Sequence, residues 1–384
     1  MLLQSTFPPD IRLEKEIRSL NSAGYHVTVL CNQYIKNAKI DFEGCDIIRL
    51  KAYFNNEILN KVLNFPIFFN PRFIFKSITT FLKIRPNYLH AHDLPMVPLG
   101  LLLKLFFKVP VIFDMHENYP EALKEFKKKG IINFLFKNYR MAKTLENYCL
   151  QKVDRIITVV EENFNRLVKR GVPEYKVIVV SNTVDITSIK SCVIKNNSDE
   201  TKFEIIYSGG VSPERDLETS VLAMKYLKDE LPEARLIIVG DGASKKVLKE
   251  LMDKNKLSDV VKLIDWPGHE EALKLVCAAD LCIIPQPSNS FIDTTIPHKL
   301  FEYMALSKPI LVSDAKPLKR IVEETNCGRV FKSRDPQSFA EQVIKLKNSD
   351  SDYGKNGRKA VEKKYNWKID EQKLLDLYSQ LNTI

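Results

Sequence analysis

In the second half of the chain, short apolar blocks alternate with stretches of helical period. "FEIIY" (203–207) reads as a strand and is followed by "SGG" and then "SPERDLETSVLAMKYL". There Ser212 can cap a helix with Pro213 at its first position, and Leu217, Val221, Met224 and Leu227 recur at helical spacing. "RLIIVGDG" (235–242), "VKLIDW" (261–266), "LCIIP" (281–285) and "PILVS" (309–313) repeat the strand signal, with helical segments between them. This βαβαβα order predicts a parallel sheet with helices on both faces. The first half carries the same signal in "HVTVLC" (26–31), "DIIRL" (46–50), "NYLHAH" (87–92), "VPVIFDMH" (109–116), "DRIITVV" (154–160) and "KVIVVSN" (176–182). Residues 186–202 are polar and lack a sustained period, which predicts a linker. The expected architecture is α/β, two doubly wound Rossmann-like domains: 1–190, then 200–365, with an amphipathic C-terminal helix (366–384) packing back toward the first domain.

The length of 384 residues fits two domains. A formal net charge of +10 favours anionic partners. The seven cysteines include no CxxC pair, and several lie in apolar runs, so reduced buried thiols and a cytoplasmic protein are expected. Pro8, Pro9 and Asp10 come too early for the apolar region of a signal peptide. The apolar run 96–113 is interrupted by Lys104 and Lys108 and reads as a buried helix followed by a strand, not a membrane span.

Ligands of doubly wound sheets bind beyond the carboxyl ends of the strands. Three loops there stand out. In "YSGGVSPER", Gly209 and Gly210 allow close backbone approach, and Arg215 can clamp a phosphate; the bland alternative is a tight turn with a surface arginine. "VGDGA" is a second glycine turn. In "SNSFIDTTIPHK", Thr294 and Thr295 offer hydroxyls and amides before a helix expected to start at Pro297; Lys299 adds a positive charge and Glu302 can accept from vicinal ribose hydroxyls. The alternative is a capped helix with solvated charges. Neither GxGxxG nor a phosphate-binding GxxxxGK[ST] occurs, so NAD and ATP sites gain no support. His116 ends a strand on the carboxyl side of the sheet. His90 and His92 form an HxH pair for which no third metal ligand is suitably spaced. His26 and His269 read as structural, and "DSD" (350–352) reads as a loop.

Taken together and in order, these segments resemble the retaining glycosyltransferases of family 4, the GT-B class that uses nucleotide-sugar donors. The resemblance rests on "FPPDIRLEKEIRSLNSAGYHVTVLC", "LHAHD", "VPVIFDMHENYPEAL", "VVSNTVD", "YSGGVSPERDLE", "LIIVGDG" and "PHKLFEYMALSKPILVSD". It implies two Rossmann-like domains facing a cleft. It also implies His116 near the donor sugar, Arg215 on the diphosphate, Lys299 beside it, Glu302 on the ribose, and Trp266 beside the base. Thr294, Thr295 and Ile296 would offer backbone amides to the diphosphate. His116 and Glu302 are the expected catalytic pair, with Gly209 and Gly210 shaping the donor loop. The chain departs from the pattern at Thr294, where the family's first glutamate falls beside Asp293, and at Gly210, where an arginine is usual; its first strand is reduced to "MLLQS".

The function so implied is transfer of a sugar from a nucleotide diphosphate to a glycan or lipid-linked acceptor, with no metal, no separate cofactor and no nucleic acid. A GT-B epimerase and a non-catalytic nucleotide-sugar-binding scaffold are the alternatives. Residues 124–143 interleave seven lysines and arginines with Ile131, Ile132, Phe134, Leu135 and Phe136, which suits an anionic membrane surface and would make the protein a peripheral one; packing of these apolar residues on the acceptor domain is the alternative.

Overall fold

The computed structural model describes residues 1–33, 41–51, 59, 70–125, 138–189 and 202–381. They form two units: one comprises Met1–Ser181 and the chain from Asp370 on, the other Asn182–Ile369. The boundary thus falls at Ser181/Asn182, ahead of the polar segment, of which 190–201 lie outside the described residues.

The first unit is built on a seven-stranded sheet of β1 (Leu2–Leu3), β2 (Val27–Gln33), β3 (Cys45–Lys51), β4 (Leu89–His92), β5 (Val111–Met115), β6 (Arg155–Thr158) and β7 (Val177–Val179). Its order is β3-β2-β1-β4-β5-β6-β7, and all pairs are parallel. The order reverses direction between β1 and β4, the place where doubly wound sheets bind ligands. β4 and β5 are buried along their whole length, as strands covered on both faces must be. Asp10 caps the helix Ile11–Ser22, accepting from the amides of Arg12 at 3.1 Å and Leu13 at 3.0 Å. That helix buries Leu13, Ile17 and Leu20 and also, against the usual rule, Arg12 and Glu16. The last helix, Trp367–Leu381, runs across the boundary between units; within the first unit its Tyr378 hydroxyl lies 2.8 Å from His90 Nδ1.

The second unit holds a six-stranded sheet of β8 (Phe203–Ser208), β9 (Ala234–Val239), β10 (Val261–Ile264), β11 (Leu281–Ile284), β12 (Ile310–Ser313) and β13 (Gly328–Phe331). Its order, β10-β9-β8-β11-β12-β13, is again parallel throughout. The core lies between this sheet and its helices, around Tyr207, Leu217, Val221, Met224 and Leu227. β13 was not anticipated: "GRVF" is four residues long and only Phe331 of it is buried, so it carries little apolar signal. "VKLIDW" ends as a strand at Ile264, which frees Asp265 and Trp266 for the following loop.

The run 96–113 forms the helix Val97–Phe107 and the start of β5. Among the described residues no helix is long and apolar enough to cross a membrane. Residues 126–137, the centre of the basic stretch proposed to meet a membrane, lie outside those described. Cys31, Cys149, Cys282 and Cys327 are buried free thiols and Cys45 is a half-buried one, whereas Cys277 is disulfide-bonded, against the expectation of reduced thiols.

Candidate functional site

Two clusters of polar side chains sit at the carboxyl ends of the strands, one in each unit. The first is assembled by β4, β5 and the helix Ile11–Ser22. Asp114 is fully buried in β5, where Arg12 grips it: Nη2 donates to both carboxylate oxygens at 3.0 and 3.1 Å and Nε to Oδ2 at 3.2 Å. Arg12 Nη1 also donates to the Val180 carbonyl at 3.0 Å. His116, just beyond β5, has Nε2 3.2 Å from Asp114 Oδ2 and from His92 Nδ1, and Nδ1 3.6 Å from Asp93 Oδ2. The backbone amide of His116 donates to Asp93 Oδ1 at 3.1 Å, while Asp93 itself is held at φ +62°. That left-handed conformation is unusual for a residue with a side chain; it directs the carboxylate back onto His116.

Charge follows from this geometry. Burial would push Asp114 up, but Arg12 and then His116 hold its carboxyl well below the usual range. Burial opposes the charge on His116, but Asp114 and then Asp93 outweigh it and raise its pKa to about 10. Burial, reinforced by the charge of Asp114, pushes Glu16 well above the usual carboxylate range.

The second cluster surrounds the end of β8. Gly209 adopts φ +135°, a conformation that favours glycine, and Lys299 lies against it, its Nζ 2.6 Å from where a Cβ would stand. The Lys299 ammonium rests 3.7 Å from the centre of the Tyr207 ring, and the Tyr207 hydroxyl donates to the Gly210 carbonyl at 2.7 Å. Burial and then the neighbouring Arg215 push the Lys299 amine well below the usual lysine range, with Glu302 acting the other way. Arg215 Nε is buried without a hydrogen-bond partner. Two basic groups therefore act on one another at a strand end, and an anion bound there would favour the charged form of Lys299.

Glu302 lies on the short helix Lys299–Ala305, with Oε1 3.5 Å from His298 Nε2 and 3.6 Å from His269 Nε2. His298 Nδ1 meets the Asn182 carbonyl at 2.7 Å, and the Asn182 amide donates to the Ile296 carbonyl at 3.0 Å. Trp266 is 42 % exposed, and its backbone amide donates to Asp241 Oδ2 at 3.2 Å.

Several expectations change here. The helix begins at Lys299, not Pro297. Thr294 and Thr295 donate their amides to the carbonyls of Phe291 and Ile292, and the Thr294 hydroxyl donates to Phe291 as well, at 2.8 Å. A turn at Ile292–Thr294 thus consumes the amides assigned to a diphosphate. Ile296 is buried beside them. Asp293, the acid nearest the family's missing glutamate, accepts from the Ser288 hydroxyl at 3.0 Å and the Lys316 amide at 3.1 Å, and so ties its loop to the next helix. His269, read as structural, lies beside Glu302. Arg12, Glu16, Asp114, Tyr207 and His298 were not singled out from the sequence. A signal existed for Asp114, a charge inside an apolar strand, and for Arg12 and Glu16, four residues apart on the face that carries Leu13 and Leu20.

The family model described as "Glycosyltransferase Family 4" matches residues 13–188, and "Glycosyl transferases group 1" matches residues 191–364. The chain thus matches glycosyltransferase models over both of its halves. The putative colanic acid biosynthesis glycosyltransferase WcaL of Escherichia coli is 25 % identical to it over 221 residues, 56 % of this chain and 54 % of that protein. The chain therefore spans about half the length of that curated relative. Sucrose-phosphate synthase from Thermosynechococcus elongatus superposes with a TM-score of 0.81 at 19 % identity, covering 99 % of this chain and 95 % of that one. Anabaena HepE in complex with UDP-glucose gives 0.72 at 15 % identity, covering 99 % and 98 %. The fold, two parallel-sheet Rossmann-like domains of the GT-B class, is shared with both of these solved structures.

Proposed function

We propose that the protein is a retaining glycosyltransferase that moves a sugar from a nucleotide diphosphate sugar to a glycan or lipid-linked acceptor, in the synthesis of cell-surface polysaccharide or glycolipid. The observation that carries this reading is Lys299 lying against Gly209 at the end of β8 with Arg215 acting on its charge, and Glu302 three residues along the same helix as Lys299. Two cations stabilise the two phosphates as negative charge develops on the leaving group, so no metal is needed there. Glu302 accepts from the ribose hydroxyls, with His298 and His269 holding its carboxylate in place. Gly210 keeps the loop open, and Trp266 offers an exposed ring for the base. Ile296 packs under the loop while Thr294 and Thr295 keep it folded, a supporting role in place of direct phosphate contact. The UDP-glucose bound to HepE supports a nucleotide-sugar donor, and the name of WcaL supports polysaccharide synthesis.

Glu302→Gln is expected to weaken donor binding about 10- to 150-fold, since a hydrogen bond to a charged group is worth roughly 1.5–3 kcal/mol. Calorimetry with a nucleotide sugar checks it, and unchanged affinity removes Glu302 from the ribose. Arg215→Ala should weaken diphosphate donors while sparing the free nucleoside; equal loss for both ligands would point to a folding defect instead. Slow hydrolysis of donor without acceptor separates an enzyme from a scaffold, which would show none.

We also propose that the protein works at the cytoplasmic membrane face, through the basic and apolar residues of 124–143. Each lysine or arginine near an anionic surface contributes about 1 kcal/mol. The protein should sediment with vesicles of acidic lipid at low salt and be released as salt screens the charges. Changing Lys127, Lys128 and Lys129 together to glutamate should weaken that binding and leave donor affinity intact. Failure of the wild-type chain to sediment makes a soluble acceptor the better reading.

A further inference from the structure

The HxH pair in β4 lacks a third ligand along the sequence, but the fold supplies two. Glu16 from the helix Ile11–Ser22 and Asp114 from β5 join His90 and His92, so that one ligand atom from each of the four lies within 4.8 Å of the others. All four residues are at most 1 % exposed. The Nε2 atoms of both histidines and both carboxylate oxygens of Glu16 are buried without a hydrogen bond, although Arg12 Nε forms an ion pair with Glu16 Oε1 at 3.0 Å. Buried polar atoms are seldom left so, because each costs its desolvation. The Nε2 atoms of His90 and His92 and Glu16 Oε2 lie in one buried group with Asp114, where an ion would partner them.

We propose that His90, His92, Glu16 and Asp114 form a binding site for a divalent transition-metal ion of the zinc type. Four-coordinate zinc holds nitrogen and oxygen ligands at about 2.0–2.2 Å, which places neighbouring ligand atoms roughly 3.3–3.6 Å apart. His90 Nε2 and Asp114 Oδ2 are 3.4 Å apart, His92 Nε2 and Glu16 Oε2 are 4.0 Å apart, and all four ligand atoms lie within 4.8 Å, so the side chains draw together around the ion. The two imidazoles are stacked, with ring centres 4.4 Å apart and planes 8° from parallel.

The outer partners that orient metal ligands are in place. His90 Nδ1 meets the Tyr378 hydroxyl at 2.8 Å, which leaves Nε2 for the ion. His92 Nδ1 meets His116 at 3.2 Å. Arg12 binds the oxygens of Asp114 and pairs with Glu16, where it can neutralise the second carboxylate once the ion is held. A cavity of about 460 Å³, lined by Met1, Tyr25, Phe81, Tyr88, His90 and Tyr378, touches His90 from the opposite end of the sheet. Mixed imidazole and carboxylate ligands suit zinc over calcium or magnesium, which take oxygen alone. The ion would sit beside His92, next to His116, and brace the strand ends that carry it.

The test uses the full chain, stripped with chelator and titrated with Zn²⁺ by calorimetry and with Co²⁺ by visible absorption. One ion per chain is expected, with the intense d–d bands of a tetrahedral Co²⁺ site and a rise in thermal stability on zinc addition. His92→Ala should abolish the bands. Tyr378→Phe, which keeps all four ligands, should lower affinity roughly 10- to 100-fold. A His26→Ala control on an exposed histidine should change nothing. The proposal is overturned if the wild-type chain takes up no stoichiometric ion, if Co²⁺ gives only the weak bands of an octahedral aquo-ion, or if binding survives His92→Ala unchanged. Should His92→Ala not fold, the wild-type stoichiometry and the Tyr378→Phe shift still decide the matter.

Discussion

Replacing His116 by alanine is expected to lower turnover by roughly 100- to 1,000-fold, the range seen when one preorganised hydrogen-bond donor is lost from a reacting centre. Donor affinity should stay close to that of the wild type. His116 stands at the carboxyl end of β5 and is fixed from three sides, by Asp114 at 3.2 Å, by Asp93 through its own backbone amide at 3.1 Å, and by His92 at 3.2 Å. A side chain held this firmly at a strand end is suited to orienting a sugar, and misplacement of a reacting group by about 1 Å can itself cost some 100-fold in rate. The donor-binding groups Arg215, Lys299 and Glu302 belong to the other unit, which is why binding and turnover should separate. The measurement pairs kcat at saturating donor with a calorimetric donor Kd. Near-normal turnover would remove His116 from the mechanism.

Arg12→Ala is expected to destabilise the first unit by about 3–5 kcal/mol, the cost of leaving a buried carboxylate without its partner. Arg12 makes three hydrogen bonds to Asp114 and one to the Val180 carbonyl, and thereby ties the first helix to β5 and to the segment after β7. Thermal unfolding followed with chelator present should show an earlier first transition. The double variant Arg12→Ala/Asp114→Ala should lose less than the sum of the two single ones, because the stranded charge is then gone. A melting temperature within a degree of the wild type for Arg12→Ala would show that water or a neighbouring group takes over from the guanidinium.

Alternation of apolar blocks with helical periods was enough to identify both doubly wound halves, because a strand covered on both faces has to be apolar along its length and the connecting helices have to carry an apolar stripe. Phe203–Ser208, Ala234–Val239 and Leu281–Ile284 all lie where that pattern places them. Glu302, Arg215 and Lys299 could be singled out because strand-end loops and helix starts are where charges have chemical work to do. What the chain alone could not reveal was partnership across long separations. Arg12 and Asp114 are 102 positions apart, His90 and Tyr378 are 288 apart, and His298 and Asn182 are 116 apart. No local period encodes such pairs. Nor could local pattern tell whether an amide near a helix start is available: the amides of Thr294 and Thr295 close a turn on Phe291 and Ile292. Sequence by itself determined which segments are buried and in what succession strands and helices follow along the chain, since burial is a property of short stretches. Only the tertiary structure decided which polar groups meet, because that depends on strands and helices from distant parts of the chain arriving at the same end of a sheet.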